Sequence, residues 1–168
     1  MAIVYLGFGS NKGNRPENIE KAMRLVDELE STRIIKESSM YETEPWGKAS
    51  SVNYFNNAVM IETNLEAAEL LKSLKAIEVK AGRTISDKWS DREIDIDLLF
   101  YKNDVYTNEK LNVPHPEIEN RKFVLIPMSE ISPEFMHPVL KKTIRELLSE
   151  TKDNLKVSKL EFSKTSKE

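Results

Sequence analysis

The chain has no cysteine and only two histidines among its 168 residues. The lack of cysteine excludes a disulfide framework and any metal site built on thiolates. No hydrophobic run approaches the ~20 residues that a membrane helix needs. The first seven residues lack a basic start, which is typical of a first β-strand rather than of a signal peptide. We therefore expect a cytoplasmic protein that binds no membrane.

The chain also lacks an excess of basic residues, because the net charge is −3 and the isoelectric point is 5.6. Nucleic-acid-binding proteins usually carry a basic excess or a basic stripe, so we expect no nucleic-acid partner. The length and a hydrophobic content of 39% predict a single domain over residues 1–168 with a sizeable core. The polar tail at 151–168 is expected to be partly disordered, although part of it could form one edge strand.

Hydrophobic periodicity predicts the order β-α-β-β-α-β, followed by a mixed C-terminal extension. The strands are predicted at 3–8, 33–41, 54–62 and 91–101, and the helices at 15–30 and from 67 to about 82. Asn14 with Glu17, and Thr63 with Glu66, are predicted to cap the two helices. A hairpin around Asn108 and a short capped helix at 143–148 are expected in the extension. The fold class is therefore α+β, with a ferredoxin-like antiparallel sheet and two helices on one face.

The most informative segment is 91–101, a predicted strand with two acids inside its apolar stretch. Because side chains alternate along a strand, Asp95 and Asp97 share one face, ~6.5 Å apart. That face should also carry Leu99 and Tyr101, and the other face Ile94, Ile96, Leu98 and Phe100. Paired acids among apolar residues are costly without a positive partner, and Mg²⁺ accepts one or two carboxylates plus phosphates. We favour a divalent metal site over the alternative, a merely solvated strand face.

The glycine-rich stretch 7–13 joins the first strand to the first helix. It matches neither the Walker A pattern nor the dinucleotide fingerprint, because the required lysine and glycine spacings are absent. We interpret it as a tight turn with glycine at positive φ, in preference to a phosphate-binding loop.

Several other residues have both a structural and a functional interpretation. His115 and His137 both precede proline, and His115, six residues before Arg121, is the better functional candidate. Aromatic and amide side chains near loops are usually core residues, but they could also hold a planar heterocycle. The residues concerned are Tyr54, Asn56, Trp89 and Phe123.

Seven segments occur in an order that is typical of one enzyme family. They are YLGFGSN (5–11), YETEPWG (41–47), YFNNAV (54–59), GR (82–83), REIDIDLLF (92–100), VPHP (113–116) and NRKFVLIP (120–127). In this series the chain resembles the 6-hydroxymethyl-7,8-dihydropterin pyrophosphokinases of folate biosynthesis. The resemblance implies a ferredoxin-like fold and transfer of pyrophosphate from ATP to the pterin hydroxymethyl group, with release of AMP.

The resemblance also implies roles for individual residues. Asp95 and Asp97 would bind two Mg²⁺ ions, and the catalytic group would be Arg83, Arg92, Asp95 and Asp97. Contacts to ATP, the co-substrate, would come from Glu78, Trp89, Arg92, His115 and Arg121. The pterin would be bound by Thr43, Tyr54, Asn56, Trp89 and Phe123. We expect a monomer without an obligate protein partner. Two rival interpretations are a metal-dependent nuclease or phosphohydrolase and a non-enzymatic binding module.

Overall fold

An antiparallel sheet forms the middle layer of the structure, a computed structural model that describes residues 1–45, 52–82 and 91–161. The strands are β1 (Ala2–Ser10), β2 (Thr32–Glu37), β3 (Tyr41–Thr43), β4 (Tyr54–Thr63), β5 (Asp95–Tyr101), β6 (Tyr106–Thr107), β7 (Asn112–Val113) and β8 (Val157–Lys159). Six of them join in the order β5-β1-β4-β3-β8, with β2 also paired to β4. The remaining two, β6 and β7, form the predicted hairpin.

Helices cover both faces of this sheet. They are α1 (Arg15–Asp27), α2 (Ala67–Lys80), α3 (Lys122–Ile131) and α4 (Ile144–Glu150), with a short 3-10 turn at Ile118–Asn120. Helices α1 and α2 bury residues such as Ile19 and Leu74 against Leu6 of β1. On the other face, α3 and α4 bury residues such as Leu125 against Tyr5. The predicted pair of helices on one face is present, and the C-terminal extension adds a second helical layer. No described helix has the length and apolar character needed to cross a membrane.

Local capping explains where two of the helices begin. Asn14 precedes α1, and its Oδ1 accepts a bond from the Glu17 N–H at 3.2 Å, as predicted. Thr143 and Glu146 form a capping box at the start of α4, which confirms the predicted short helix. The capping prediction for α2 was wrong, because α2 starts at Ala67 without a side-chain cap bond.

The predicted strand 33–41 is divided into β2 and β3. The break occurs at Ser38, whose Oγ accepts a bond from the Ala58 N–H at 2.9 Å and so replaces a backbone carbonyl. Glu130 of α3 then accepts bonds from the Ser39 N–H and the Tyr41 hydroxyl. These contacts extend the strand to Thr43, a region predicted to be loop, and hold it against α3.

A bulge in β5 changes which side chains share a face. Tyr5 of β1 pairs with Phe100 and Leu6 pairs with Leu98, so the register between the strands skips Leu99. The predictions that Phe100 shares a face with Leu98, and that Tyr101 shares the face of the two acids, were therefore wrong. Phe100 lies in the α3/α4 core with Leu99, whereas Tyr101 lies in the α1/α2 core.

Two features of the C-terminal extension complete the fold. The first is α3, which the sequence did not predict because Pro127 lies inside it. A proline removes one helical hydrogen bond, but burial of residues such as Leu125 and Met128 offsets this loss. The second is β8, which pairs with β3 and confirms that part of the tail forms an edge strand.

Candidate active site

A cavity of about 340 Å³ opens at the end of the sheet where β1, β3, β4 and β5 meet the start of α3. Most of the sequence-predicted site residues line it, namely Thr43, Tyr54, Asn56, Arg92, Asp95, Asp97, His115, Arg121 and Phe123. Gly9 of β1 forms part of its wall. A Cβ at Gly9 would lie 3.0 Å from the Asn56 amide nitrogen, so glycine leaves room for Asn56. Gly9 belongs to strand β1, although the sequence predicted a turn there. Gly13 does have the positive φ expected of a turn glycine, at +73°.

The two acids of β5 both face this cavity, as strand alternation predicts. Ile96 between them is buried in the opposite core, whereas the Asp95 and Asp97 side chains are 26% and 29% exposed. A guanidinium nitrogen of Arg92 lies 3.3 Å from Asp95 Oδ1. On the other side, His115 Nε2 lies 3.7 Å from Asp97 Oδ1. In the described part of the chain, Arg92 therefore lies beside Asp95 and the His115 ring beside Asp97.

These neighbours do not compensate fully for the closeness of the two carboxylates. Burial and then the charge of Asp95 raise the pKa of Asp97 from 3.8 to about 6, in opposition to His115, Arg121 and Lys75. The site thus favours additional positive charge. Among the described residues, no group of three or more acidic, histidine or cysteine side chains is placed to hold a metal. A divalent ion at Asp95 and Asp97 would therefore complete its shell with water or ligand phosphates, as Mg²⁺ commonly does.

Two buried side chains hold the acid strand in place. Glu78 of α2 is 2% exposed, and its Oε2 accepts a bond from the Ile96 N–H at 2.7 Å. Asn11 is 1% exposed, and its Oδ1 accepts a bond from the Arg92 N–H at 2.7 Å. The Asn11 N–H also donates to the Arg92 carbonyl. Asn11 thus binds both the N–H and the carbonyl of Arg92, just before β5 begins.

The other end of the cavity combines an aromatic wall with buried polar atoms. Tyr54 and Phe123 both contribute to its lining. Within residues 1–45, 52–82 and 91–161, Thr43 Oγ1 and Asn56 Oδ1 are buried side-chain oxygens without a hydrogen-bond partner. Buried polar atoms are normally satisfied, so these two indicate a place for a ligand that carries hydrogen-bond donors.

A second hollow of about 210 Å³ adjoins the acids on the side of α2 and the hairpin. Apolar residues form most of its lining, and Asn112 supplies an amide. The apolar residues are Leu71, Ile96, Leu98, Leu111 and Val113. Lys75, Asp97 and His115 line both this hollow and the main cavity. Asp97 therefore lies where the two hollows meet, and Asp95 faces the main cavity.

The sequence model of the 7,8-dihydro-6-hydroxymethylpterin-pyrophosphokinase (HPPK) family matches residues 5–133. The chain belongs to this family. It is 41% identical over 150 residues to the 2-amino-4-hydroxy-6-hydroxymethyldihydropteridine pyrophosphokinase of Aquifex aeolicus, over 89% of this chain and 92% of that protein. It is 34% identical to the Haemophilus influenzae protein of the same name, over 92% of this chain and 96% of that one. The chain is thus an enzyme of the pyrophosphokinase class.

Solved structures agree on the fold of the HPPK family. A crystal structure of wild-type Plasmodium falciparum HPPK-DHPS with SDX-DHP matches with a TM-score of 0.70 at 18% sequence identity. The match covers 88% of this chain and 44% of that one, so the chain spans less than half the length of the solved protein. At this identity the likeness establishes a common α+β fold with an antiparallel sheet.

Among the predicted HPPK site residues that the structure describes, Glu78 is the one that does not line the cavity. Arg83 and Trp89 lie outside the described residues. Glu78 is buried beneath β5 and does not line the cavity. Conversely, sequence reasoning missed Lys75, which lines both binding spaces and lies 3.7 Å from Glu78. The sequence could have indicated Lys75, because it lies one helical turn before Glu78, a predicted site residue on the same helix.

Proposed function

We propose that this HPPK-family chain transfers pyrophosphate from ATP to 6-hydroxymethyl-7,8-dihydropterin and releases AMP. The observation that carries the proposal is the carboxylate pair Asp95 and Asp97 in the main cavity, with Asp97 also lining a second hollow of different chemistry. In this reaction the pterin hydroxymethyl oxygen forms a bond to the β-phosphorus of ATP. The bond between that phosphorus and the oxygen it shares with the α-phosphorus breaks, and the hydroxyl loses its proton.

We assign two Mg²⁺ ions to Asp95 and Asp97. The raised pKa of Asp97 supports this assignment, because it marks a carboxylate pair that is short of positive charge. Bound Mg²⁺ would neutralise the phosphates and align them with the attacking oxygen. The remaining chemistry is then mostly positioning, which is what the protein side chains supply.

The cationic residues around the acids would contact the ATP phosphates. Arg92 and Arg121 both line the cavity, and guanidinium groups match phosphate oxygens with two parallel donors. His115 Nδ1 lies 2.7 Å from the Pro116 carbonyl. This contact orients the ring so that Nε2 points toward Asp97. Arg83 and Trp89 remain proposed members of the catalytic and nucleotide-binding groups.

The two binding spaces suit the two substrates. The pterin would lie in the main cavity against Tyr54 and Phe123, with its polar edge at Thr43 and Asn56. The buried oxygens of the last two residues support this placement, because a pterin carries ring N–H and amino donors. The smaller hollow, with its apolar lining and the Asn112 amide, suits the nucleotide base. Glu78 would act near the nucleotide by fixing the strand that carries the acids.

The strand order supports a ferredoxin-like topology for this site. When β2 and β3 are taken as one interrupted strand, the first four positions of the sheet are β5-β1-β4-β2/β3. We propose that residues 1–168 form a single domain of this type that acts as a monomer.

The decisive experiment measures AMP formation from ATP and Mg²⁺, with and without 6-hydroxymethyl-7,8-dihydropterin. We expect AMP only when the pterin is present, and no product from the Asp95→Ala/Asp97→Ala variant. Glu109→Ala, which removes an exposed acid from the hairpin, is the control. Formation of ADP, or hydrolysis of ATP without pterin, would contradict the proposal and favour a metal-dependent phosphohydrolase. Binding without any Mg²⁺ dependence would favour a non-catalytic module.

A further inference from the structure

The segment 151–161 contacts both sides of the proposed pterin cavity, and it lies outside the region matched by the family model. Near its start, Asp153 bonds to the first residue of α3. Further on, β8 pairs with β3. Helix α3 and strand β3 provide Phe123 and Thr43 to the cavity. We call residues 151–161 the C-terminal strap.

The first attachment supplies a cap that α3 lacks locally. Its N-cap residue is Arg121, whose side chain has donors only and accepts no bond from the helix. Instead, Asp153 Oδ2 accepts a bond from the Lys122 N–H at 2.9 Å. Asp153 Oδ1 accepts a second bond from the Leu155 N–H at 3.0 Å. A carboxylate at a helix N-terminus also interacts favourably with the helix dipole. Asp153 therefore holds the helix start at which Phe123 lies.

The second attachment fixes the part of the cavity lining that β3 provides. Thr43 of β3 is paired with Val157 of β8. The pairing continues beyond β3, because the Glu44 N–H donates to the Lys156 carbonyl at 3.3 Å. The Lys156 N–H in turn donates to Glu44 Oε1 at 2.7 Å. Since Thr43 and Glu44 both line the cavity, the strap holds this wall as well.

We propose that Asp153 is a positioning residue for pterin binding, and that the strap, together with the Glu130 contacts between α3 and β3, sets the relative position of these two parts of the cavity lining. This inference rests on the proposed function, since the affected ligand is the pterin. The hollow assigned to the nucleotide base is lined by α2, β5 and the β7 region rather than by α3 or β3. Of the proposed ATP contacts, Arg121 directly precedes α3. Loss of a strap attachment should therefore weaken the pterin complex more than the nucleotide complex.

The first test removes the acceptor at Asp153 in the full-length chain. Pterin affinity is measured by fluorescence titration with 6-hydroxymethyl-7,8-dihydropterin, and nucleotide affinity by calorimetry with a non-hydrolysable ATP analogue and Mg²⁺. We expect Asp153→Ala to raise the pterin Kd about fivefold, which matches one lost capping bond. The nucleotide Kd should rise by a smaller factor, because Arg121 adjoins α3 whereas the proposed ATP contacts Arg92 and His115 do not. Asp153→Asn keeps an acceptor and should restore the pterin affinity.

A matched control separates positioning from general destabilisation. Asp27 Oδ1 accepts a bond from the Ile34 N–H at 2.8 Å, a contact of the same type that lies away from the cavity lining. Asp27→Ala should lower the melting temperature without changing the pterin Kd. If it weakened pterin binding as much as Asp153→Ala, the effect would be general loss of stability and the positioning role would be wrong.

The second test breaks the attachment to β3. Met40 bonds to Leu160 and Glu44 bonds to Lys156, so antiparallel alternation places Ser158 in a hydrogen-bonded pair with Glu42. Ser158→Pro removes that donor, and we expect a severalfold higher pterin Kd, whereas Ser158→Ala should bind as the unchanged chain does. Unchanged pterin affinity in both Asp153→Ala and Ser158→Pro would overturn the inference alone. Failure of the unchanged chain to bind the pterin would overturn the proposed function as well.

Discussion

Replacing Asp97 with asparagine should stabilise the metal-free protein at neutral pH while it abolishes activity. Burial, followed by the charge of Asp95, raises the pKa of Asp97 from 3.8 to about 6. A shift of this size corresponds to ~3 kcal/mol of unfolding free energy at 1.36 kcal/mol per unit. Because the side chain is 29% exposed, solvent screening reduces this figure. We expect Asp97→Asn to gain ~1–2 kcal/mol at pH 7.5.

The direction of the Asp97 pKa shift determines how the stability difference between wild type and Asp97→Asn changes with pH. The folded protein binds the Asp97 proton more tightly than the unfolded chain does, so the wild type loses stability as the pH rises from about 4 to about 6. The penalty is complete at pH 7.5 and small at pH 4. Urea unfolding with EDTA at both values measures it, with Glu109→Gln as the control for loss of one acidic charge. A stability difference that did not grow between pH 4 and pH 7.5 would refute this reasoning.

Three further predictions concern the surroundings of the acids. Phe123→Ala should raise the pterin Kd about tenfold in a fluorescence titration, because an aromatic wall is lost. Asn11→Ala leaves the Arg92 N–H without its acceptor, so we expect ~1–3 kcal/mol less stability and a lower kcat. Burial acts to raise the pKa of Glu130, but the hydrogen bonds from Tyr41 and Ser39 outweigh it, so the pKa is lowered. The stability advantage of the wild type over Glu130→Gln should therefore be present at pH 7 and decrease on acidification in unfolding experiments.

Features that depend on neighbouring residues were predictable from the sequence. The common face of Asp95 and Asp97 follows from strand alternation, and both side chains line the cavity. The caps at Asn14 and Thr143 follow from bonds that span three residues. The order of strands and helices up to β5 follows in the same way from local periodicity.

Features that depend on distant contacts were not predictable. The break between β2 and β3 is held by Glu130, which lies 91 residues after Ser39. Helix α3 needs burial to offset Pro127 and a cap from Asp153, neither of which is visible in its own sequence. The place of Lys75 on the cavity wall depends on how α2 is rotated against β5, which periodicity leaves open.

The bulge at Leu99 divides β5 into two halves with opposite alternation. In the first half, odd-numbered residues line the cavity and even-numbered residues lie in the α1/α2 core. In the second half, Phe100 faces the α3/α4 core and Tyr101 the α1/α2 core. Loss of this one residue would restore regular alternation and exchange the faces of either the acids or the aromatic pair. Side chains in each half of β5 can therefore vary independently, but the strand cannot be shortened by one residue and retain both the two acids that face the cavity and the two cores.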